Sequence, residues 1–366
     1  MLLRPPYSGV EYAIEHLARG LADELPEGLD IYVPHGFSAA PHARWRLHRA
    51  ARAARGRMGR ILFEQLCLPR RMLAARCELL HAPGYVAPLA GKLPLVLTVY
   101  DALALRHPEL CRPVNRWHYR MLMPASVHKA ARVIVPSRAT LADLVACTGI
   151  NEQKIRVIPL APRPGFAPQD EAARLRARTR WAEGKPYLLF TGNLEPRKNI
   201  PFLLRVFQRF RTAVRNDHKL VLAGRHAHGT QLVRAEITRL ELGKDVFLPG
   251  YVPEAEFANL MAGAEVFLFP ACGEGFGLPV LEAMAAGVPV VATEDGSIPE
   301  IAGPAALLAG DEEAAWVNAL FHLLGSQALR LAVIQWGIKR AAQFSWRTAA
   351  LATLEVYREV LEERSR

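Results

Sequence analysis

Short apolar runs alternate with amphipathic stretches along nearly the whole chain. The runs predict buried strands and the amphipathic stretches predict surface helices, because a parallel sheet is covered on both faces. In the first half the predicted strands are Asp30–Pro34, Leu79–His81, Leu95–Val99, Arg132–Pro136 and Lys154–Pro159, and the clearest helices are Val10–Leu25 and Ala139–Cys147. A second series of strands follows at Tyr187–Thr191, Lys219–Ala223, Val246–Leu248, Glu265–Pro270 and Pro289–Ala292. The alternation predicts an α/β fold of doubly wound, Rossmann-like parallel sheets.

The length of 366 residues fits two domains rather than one core. Five prolines between Pro159 and Pro186 predict a linker, which places one domain at 1–165 and a second at 180–344. The first helix starts almost at residue 1, so the strand that should open the first sheet is missing or reduced to Met1–Arg4. Either the sheet starts with its usual second strand, or the chain begins downstream of its natural start.

The amino-acid composition restricts the structural class of the protein and the cellular compartment in which we expect it. Hydrophobic residues make up 51% and charged residues 22%, which is typical of globular domains. Charges interrupt the first twenty residues, so we expect neither a signal peptide nor a spanning helix, and a cytoplasmic location. The five cysteines are odd in number and contain no Cys-x-x-Cys pair, which excludes a simple disulfide framework and a thiolate zinc site.

The net charge of +11 is concentrated in the first half of the chain. Up to residue 180 there are 27 Lys and Arg against 14 Asp and Glu, and after it 19 against 21. Seven arginines lie between Arg44 and Arg60, a stretch that holds no acid. Such a stretch predicts either attraction to a polyanion, an anionic membrane surface above all, or only a solvated basic helix face.

The segment Glu265–Ala292 reads EVFLFPACGEGFGLPVLEAMAAGVPVVA. It predicts a strand, a loop with three glycines and a helix opening near Pro279, the arrangement in which backbone N–H groups bind a phosphate. Glu274 and Glu282 flank this turn and could accept hydrogen bonds from sugar and ribose hydroxyls. As alternatives, Glu282 could complement the helix dipole and Glu274 could be a solvated loop acid.

A second glycine turn occurs in YLLFTGNLEPRKNI, residues 187–200. Here a strand ends before Gly192, and Arg197 and Lys198 follow it. Two cations at this position could neutralise a diphosphate, although an exposed Arg-Lys pair is also ordinary surface.

With these motifs the chain resembles the retaining glycosyltransferases of family 4, over nearly its whole length. The strongest match is the Glu-x7-Glu element formed by Glu274 and Glu282. Further matches are LEPRKN, GYV at 250–252, VIVPS at 133–137, LTVYDALALRHPE at 97–109 and FSWRTAALATLEVY near the end. The resemblance implies a GT-B fold, two Rossmann-like domains facing a cleft, with a C-terminal helix at about 345–366 that packs back on the first domain.

The same resemblance implies roles for particular residues. The catalytic set would be Glu274 on the donor sugar, Lys198 and Arg197 on the diphosphate, and Asp101 in the first domain. The donor-binding set would be Gly9, Gly192, Val252, Gly275, Phe276, Gly277, Leu278 and Glu282. Three positions depart from the family pattern: one glycine instead of several at Gly9, Asn193 where an arginine is frequent, and Tyr100 where a histidine is frequent.

The implied reaction moves a hexose, mannose being one candidate, from a GDP- or UDP-linked donor to a glycan or lipid-linked acceptor with retention of configuration. This activity would serve polysaccharide biosynthesis at the cell envelope. The sequence holds no Asp-x-Asp, so we expect no metal and no cofactor: protein cations would stabilise the leaving diphosphate. Arg44–Arg60 would hold the enzyme on the inner face of the membrane, and no nucleic acid is expected as a partner.

Two other function classes stay open. One is a nucleotide-sugar epimerase of similar architecture, and the other is a basic membrane- or nucleic-acid-binding protein with a degenerate enzyme domain. A nicotinamide-dependent oxidoreductase is disfavoured because no strand is followed by G-x-G-x-x-G, and a P-loop enzyme because the residue after Gly229 is Thr230 rather than lysine.

Overall fold

The computed structural model of the protein describes residues 9–37, 42–50, 52, 56–111, 113–214 and 217–365. It separates into two compact units, Met1–Ala161 with Ser345–Arg366, and Pro162–Phe344. Residues 162–165, assigned to the first domain by the proline pattern, therefore belong to the second unit. The possible opening strand Met1–Arg4 lies outside the described residues.

The first unit has a four-stranded and a two-stranded parallel sheet. Its strands are β1 (Leu29–Val33), β2 (Trp45–Arg49), β3 (Leu80–Ala82), β4 (Leu95–Thr98), β5 (Arg132–Val135) and β6 (Ile155–Val157). Its helices up to residue 161 are α1 (Gly9–Glu24), α2 (Arg57–Leu62), α3 (Leu68–Ala74), α4 (Leu103–Arg106), α5 (Pro113–Lys129) and α6 (Arg138–Thr148), with a π-helical turn at Phe63–Cys67 between α2 and α3. The strands pair in the orders β1-β2 and β3-β4-β5-β6. All four residues of β4 are buried, as expected of a strand with helices on both faces.

The basic stretch contains a strand, not the solvated helix considered from the sequence. Residues 45–49 pair in parallel with β1. This strand was hard to recognise from the sequence because the arginines around Trp45 and Leu47 hide the period-two alternation of apolar and polar residues. The interpretation as a helix face is therefore wrong for this part of the stretch.

The second unit is built on one six-stranded parallel sheet. Its strands are β7 (Tyr187–Thr191), β8 (Lys219–Ala223), β9 (Val246–Gly250), β10 (Val266–Phe269), β11 (Val290–Thr293) and β12 (Leu307–Ala309). Its helices are α7 (Glu171–Ala182), α8 (Ile200–Val214), α9 (Thr230–Arg239), α10 (Glu254–Ala262), α11 (Leu278–Ala285), α12 (Ile298–Ala302), α13 (Glu313–Gly325) and α14 (Gln327–Ala341). The strand order is β12-β11-β10-β7-β8-β9.

The proline-rich segment is not wholly irregular. After Pro168 it forms α7, whose first turn is capped by the Asp170 carboxylate, which accepts a hydrogen bond from the Ala173 N–H at 2.7 Å. A proline-free run rich in alanine and arginine favours a helix. The linker interpretation therefore holds for the residues before α7 and is wrong for α7 itself.

The C-terminal helix α15 (Trp346–Ser365) is part of the first unit. It packs along α1, where an added Cβ at Gly20 would lie 3.0 Å from the Ala350 Cβ. Arg132 and Arg156 of the first sheet form ion pairs with Glu359 at 3.2 and 2.7 Å. Close packing and charge thus attach this helix to the first sheet.

No single helix in the described ranges is both long and apolar enough to cross a bilayer. In the part of the chain that the structure describes, one bent pair, formed by α13 and the helices from Gln327 to Ser365, passes on combined length and composition.

Candidate functional site

The strand order of the second unit creates one topological switch point. From β7 the chain continues to β8 and β9 on one side, while β10, β11 and β12 extend the other side. The loops that follow the adjacent strands β7 and β10 therefore diverge at the carboxyl edge of the sheet. In open parallel sheets this crevice is where ligands bind, and it is here that both glycine turns identified in the sequence lie.

The loop after β7 is shaped by close backbone contact. Gly192 has φ +148°, and a Cβ at neighbouring Gly224 would lie only 1.9 Å from the Gly192 carbonyl oxygen. The chain then makes a 3₁₀ turn at Pro196–Lys198 before α8 begins. Only glycine at position 224 allows this approach of the two loops, and the positive φ of Gly192 favours glycine there too. The two glycines thus set the course of the loop that carries Arg197 and Lys198.

Arg197, Lys198 and Glu274 form one ion cluster. The Lys198 ammonium lies 2.5 Å from Glu274 Oε1, and Arg197 pairs with the same oxygen. Glu195 pairs with Arg197 at 3.1 Å, and the Lys198 Nζ lies 4.9 Å from the centre of the Phe269 ring. Within the described residues, no hydrogen bond to the second oxygen, Oε2, is found. One carboxylate oxygen is thus held by cations while the other can accept a bond from a ligand.

Burial and charge act against each other in this cluster. Burial alone would raise the pKa of Glu274, but the charges of Lys198 and Arg197 and their hydrogen bonds lower it to about 2. Burial, and secondly the Arg197 charge, lower the pKa of Lys198, while Glu274 opposes that shift. Glu274 is therefore a carboxylate throughout the physiological pH range, and it favours the charged form of a lysine that is only 5% exposed.

The backbone around Glu274 is fixed by hydrogen bonds on both sides. Its carbonyl oxygen accepts bonds from the Ser297 N–H at 3.1 Å and the Ser297 hydroxyl at 2.8 Å. The Gly273 N–H donates to Asp295 at 2.6 Å, and the Cys272 N–H donates to the Arg197 carbonyl at 2.8 Å. The two switch-point loops are therefore joined, which positions the carboxylate and its cations before any ligand binds.

The residues that follow Glu274 present backbone rather than side chains. Phe276 and Leu278 are buried, and Phe276 packs edge-on against Phe344 with ring centres 5.9 Å apart. Gly277 has φ +89° immediately before α11, and a Cβ there would lie 2.5 Å from Ile298. The backbone N–H groups in the first turn of a helix can bind an anion. Gly275 is the remaining residue of the loop between Glu274 and α11.

The second glutamate of the Glu-x7-Glu element has a partner that sequence reasoning missed. Glu282 is 2% exposed, and both of its oxygens accept bonds from Arg163, at 2.6 and 2.8 Å. The guanidinium also lies over Phe257 and Phe166, at 4.5 and 5.3 Å from their ring centres. Arg163 lies in the segment interpreted as a linker, where nothing in the sequence pattern indicated a contact with Glu282. The ribose-binding role of Glu282 stays a prediction.

A further guanidinium lies at the carboxyl end of β8. Arg225 donates to the Asn193 side-chain oxygen at 3.2 Å, and its carbonyl accepts from the Leu194 N–H at 3.0 Å. Asn193 is the position at which the family resemblance leads one to expect an arginine. The structure adds Arg225, two residues after the end of β8, as a further cation beside Asn193. Val252, assigned to the base pocket, is buried beyond the end of β9.

The remaining predicted residues belong to the first unit. Asp101, after β4, accepts bonds from the Tyr85 hydroxyl at 2.8 Å and the Leu103 N–H at 3.1 Å. Tyr100 is buried, and burial followed by the nearby Glu11 carboxylate raises its pKa. Gly9 is exposed at the start of α1, two residues before Glu11.

Several arginines of the basic stretch are engaged within the first unit. Arg44 donates to the Asp23 carbonyl at 2.7 Å, Arg46 pairs with Asp30 at 2.6 Å, and Arg49 donates to the Phe37 carbonyl at 2.8 Å. These contacts hold β2 against β1 and α1. Arg55 lies outside the described residues.

Comparison with known proteins places each half of the chain in a known family. Residues 7–162 match the model described as Glycosyltransferase Family 4, and residues 171–340 match Glycosyl transferases group 1. O-antigen chain mannosyltransferase B of Escherichia coli is 28% identical over 284 residues, covering 76% of this chain and 73% of the relative. D-inositol 3-phosphate glycosyltransferase of Kineococcus radiotolerans is 31% identical over 326 residues, covering 80% and 71%.

Solved structures match over nearly the whole chain. Sucrose-phosphate synthase from Thermosynechococcus elongatus superposes with a TM-score of 0.79 at 21% identity, covering 97% of this chain and 94% of that one. Anabaena HepE in complex with UDP and glucose gives 0.73 at 18% identity, covering 97% and 96%. These matches confirm the α/β, GT-B fold class predicted from the sequence.

Proposed function

We propose a reaction for this chain, which belongs to the family 4 glycosyltransferases. It transfers a hexose from a nucleotide-sugar donor to a hydroxyl of a glycan or lipid-linked acceptor, with retention of configuration. The observation that carries the proposal is the cluster of Arg197, Lys198 and Glu274 at the switch point of the second sheet, beside the N-terminus of α11. A carboxylate next to two cations suits a ligand that joins hydroxyl groups to a diphosphate.

The donor would be divided among these groups by chemistry. Glu274 Oε2 accepts from a sugar hydroxyl, and Arg197, Lys198 and the N–H groups of 275–278 bind the diphosphate. Glu282, held by Arg163, accepts from the ribose, and the backbone near Val252 contacts the base. HepE was solved with UDP, and the E. coli relative is a mannosyltransferase. These names support UDP as one candidate nucleotide and mannose as one candidate hexose, beside the GDP that the family resemblance implies.

Breaking the anomeric bond leaves negative charge on the diphosphate and positive charge on the sugar ring. Arg197 and Lys198 stabilise the first because they are fixed in place before the charge develops, in surroundings that exclude much of the water. Glu274 stays ionised and holds the sugar hydroxyls without supplying a proton. Protein cations thereby take the role that a divalent metal has in other transferases. The leaving phosphate would deprotonate the acceptor on the same face of the sugar.

The sharpest test is a ligand panel followed by product analysis. Thermal shifts with UDP, GDP, ADP and their sugars identify the donor, because a ligand at about 100 times its Kd stabilises by roughly 2.7 kcal/mol. Incubation with that donor and a lipid-linked acceptor extract should then give a transferred sugar whose anomeric configuration matches the donor. An isomerised but untransferred sugar would instead identify an epimerase, and no donor binding would leave only a binding protein.

We also infer association with the cytoplasmic face of a membrane, from exposed apolar side chains on the first unit. Leu62, Leu66 and Leu73 on the α2–α3 segment are 54, 50 and 51% exposed, and Trp117 and Met121, one turn apart on α5, are 70 and 63% exposed. Arginines neighbour both groups, and apolar anchors beside cations are typical of peripheral membrane binding. This would bring lipid-linked acceptors to the enzyme.

Vesicle sedimentation tests the membrane proposal. Wild type should sediment with vesicles containing anionic lipid at low salt, and a Leu66→Gln, Trp117→Gln variant should not. Leu232→Gln, an equally exposed residue of the second unit, is the matched control and should behave as wild type. Equal sedimentation of all three proteins would contradict the inference, and salt-sensitive binding to RNA in its place would favour a nucleic-acid partner.

A further inference from the structure

Tyr85, three residues after β3, has a left-handed backbone with φ +61°. For a bulky aromatic residue this conformation costs free energy, because its Cβ comes too close to the following carbonyl oxygen. Four other non-glycine residues in the described part of the chain have a positive φ, and each lies within two residues of the end of a helical segment, where left-handed backbone is common. These four are Arg76, Glu183, Asn199 and Glu241. Of the five, only Tyr85 lies away from a helix end, and strained residues of this kind cluster at ligand sites.

The loop that carries Tyr85 is held by hydrogen bonds to neighbouring elements. The Tyr85 N–H donates to the carbonyl of Thr98, the last residue of β4, at 2.8 Å. The Ala87 N–H donates to the hydroxyl of Ser126 on α5 at 3.1 Å. The ammonium of Lys129, also on α5, donates to three further carbonyls of the loop, those of Pro88, Leu89 and Gly91, at 3.1, 2.7 and 3.3 Å. A strained backbone persists only where the surrounding structure fixes it in this way.

The side chain of Tyr85 reaches the residues that follow the next strand. Its hydroxyl donates to Asp101 Oδ2 at 2.8 Å, and the Leu103 N–H donates to the other oxygen, Oδ1, at 3.1 Å. The Tyr85 ring packs against those of Tyr100 and Tyr119, with ring centres 5.9 and 5.3 Å apart. The ring contacts thus fix the phenol, and the phenol and the Leu103 N–H fix the two carboxylate oxygens. Asp101 itself is only half-buried, so it is oriented without being enclosed.

Tyr85 and Asp101 lie at the edge of the first unit's sheet where ligands are expected. They follow β3 and β4, which are adjacent and parallel, and ligands bind beyond the carboxyl ends of such strands. A carboxylate at this edge can accept hydrogen bonds from hydroxyl groups. The side chains that hold the donor in the proposed reaction, Glu274 among them, all belong to the second unit. A carboxylate in the first unit therefore suits a hydroxyl of the acceptor.

We propose that Tyr85 is a positioning residue for the transfer reaction: its phenol orients Asp101, whose carboxylate accepts a hydrogen bond from a hydroxyl of the acceptor sugar. The inference rests on the proposed function and adds that the acceptor is recognised through a saccharide hydroxyl. It also explains why a tyrosine occupies a position at which glycine would be free of strain, because glycine has no group that reaches Asp101. Loss of the phenol should therefore act on the acceptor and not on the donor.

The variant Tyr85→Phe tests the proposal, because phenylalanine keeps the ring contacts and removes the hydroxyl. Transfer to the lipid-linked acceptor extract should fall at least about tenfold, since a small misplacement of a reacting group can cost about 100-fold. Binding of UDP or GDP, and the slow release of nucleotide from the donor when water replaces the acceptor, should stay at the wild-type values. Tyr357→Phe is the matched control: its hydroxyl bonds to His81 Nδ1 at 2.6 Å in the same unit, and its loss should leave transfer unchanged.

Two further comparisons separate positioning from other roles of Tyr85. Asp101→Asn should lower transfer, and adding Tyr85→Phe to it should lower transfer little further, because the effects of residues that act through one another are not additive. Tyr85→Gly should melt about 2–4 °C above Tyr85→Ala, because only alanine keeps a Cβ in the left-handed backbone. Both variants should nevertheless transfer as poorly as Tyr85→Phe.

The opposite results overturn the proposal. Wild-type transfer by Tyr85→Phe, or an equal loss with and without the Asp101 carboxylate, would show that the phenol does not act through Asp101. An equal loss of nucleotide release to water would place the pair on the donor, and a Tyr85→Ala protein as stable as Tyr85→Gly would remove the argument from strain. Absence of donor binding in the wild type would overturn the proposed function and this inference together, whereas the preceding results leave the proposed function standing.

Discussion

Removal of the Arg163 guanidinium should destabilise the second unit strongly. Arg163 and Glu282 have side chains only 12 and 3% exposed, and two bonds of 2.6 and 2.8 Å join them. Arg163→Met keeps much of the apolar stem but leaves a carboxylate buried without its partner. Breaking a buried pair in this way costs about 3–5 kcal/mol.

The prediction can be separated from mere loss of packing. In the double variant Arg163→Met, Glu282→Leu no charge is left unpaired, and replacing a buried pair by apolar residues of similar volume is often neutral. We therefore expect the double variant to recover most of the loss. Arg209→Met is the matched control: Arg209 pairs with Glu313 at 2.6 Å but is 63% exposed, so its loss should cost at most about 1 kcal/mol.

Native-state hydrogen exchange of amides in β7 and β10 is the appropriate assay, because a chain of two units need not unfold in one step. A cost below about 1 kcal/mol for Arg163→Met, or a double variant as unstable as the single one, would refute the reasoning. If Glu282 also binds the donor ribose, Arg163→Met should raise the KM for donor more than it lowers kcat.

Three further outcomes concern the ion cluster. Glu274→Gln should lower the rate of transfer at least about 100-fold. UDP or GDP should bind this variant as tightly as wild type or more tightly, because the variant lacks an anion beside the diphosphate. Weaker nucleotide binding in titration calorimetry would contradict this. Transfer should persist in excess EDTA. If EDTA abolishes transfer and only Mg²⁺ or Mn²⁺ restores it, the protein cations alone are not sufficient to stabilise the leaving diphosphate. The pKa of Glu274 is lowered from 4.5 to about 2, so its contribution to stability is present above about pH 4.5 and lost as pH falls toward 2. The free energies of unfolding of wild type and Glu274→Gln, measured with urea, should therefore converge as the pH falls through that range. A difference between them that does not change with pH would contradict the lowered pKa.

Strands of the second unit were predictable because their apolar runs are continuous and bounded by glycine and proline. Tyr187–Thr191 and Lys219–Ala223 match the structure at both ends, and the glycine loops after β7 and β10 follow from the same pattern. The three members of the ion cluster were also identified from those two loops, but as ligands of the donor and not as partners of one another. At this sheet edge the residues that define the strand ends and loops in the sequence are also the residues that form the candidate site.

Other features depend on contacts that local pattern does not encode. The pairing of Arg163 with Glu282 joins residues 119 positions apart, and Arg225 reaches Asn193 from a different strand end. The pattern of strand β2 is hidden in the sequence by its arginines, whose partners are Asp30 for Arg46 and the Phe37 carbonyl for Arg49. The three-residue strand β12 is too short to show a period.

The return of α15 to the first unit has a consequence for the order of folding during synthesis. The second unit is one uninterrupted stretch, Pro162–Phe344, so the ribosome completes it while the first unit still lacks its last helix. Until Trp346 and the residues after it emerge, Leu17, Val96 and Ile134 have no C-terminal helix to cover them. The N-terminal part of the polypeptide should therefore be the last to reach its native state and the one most exposed to chaperones and proteases.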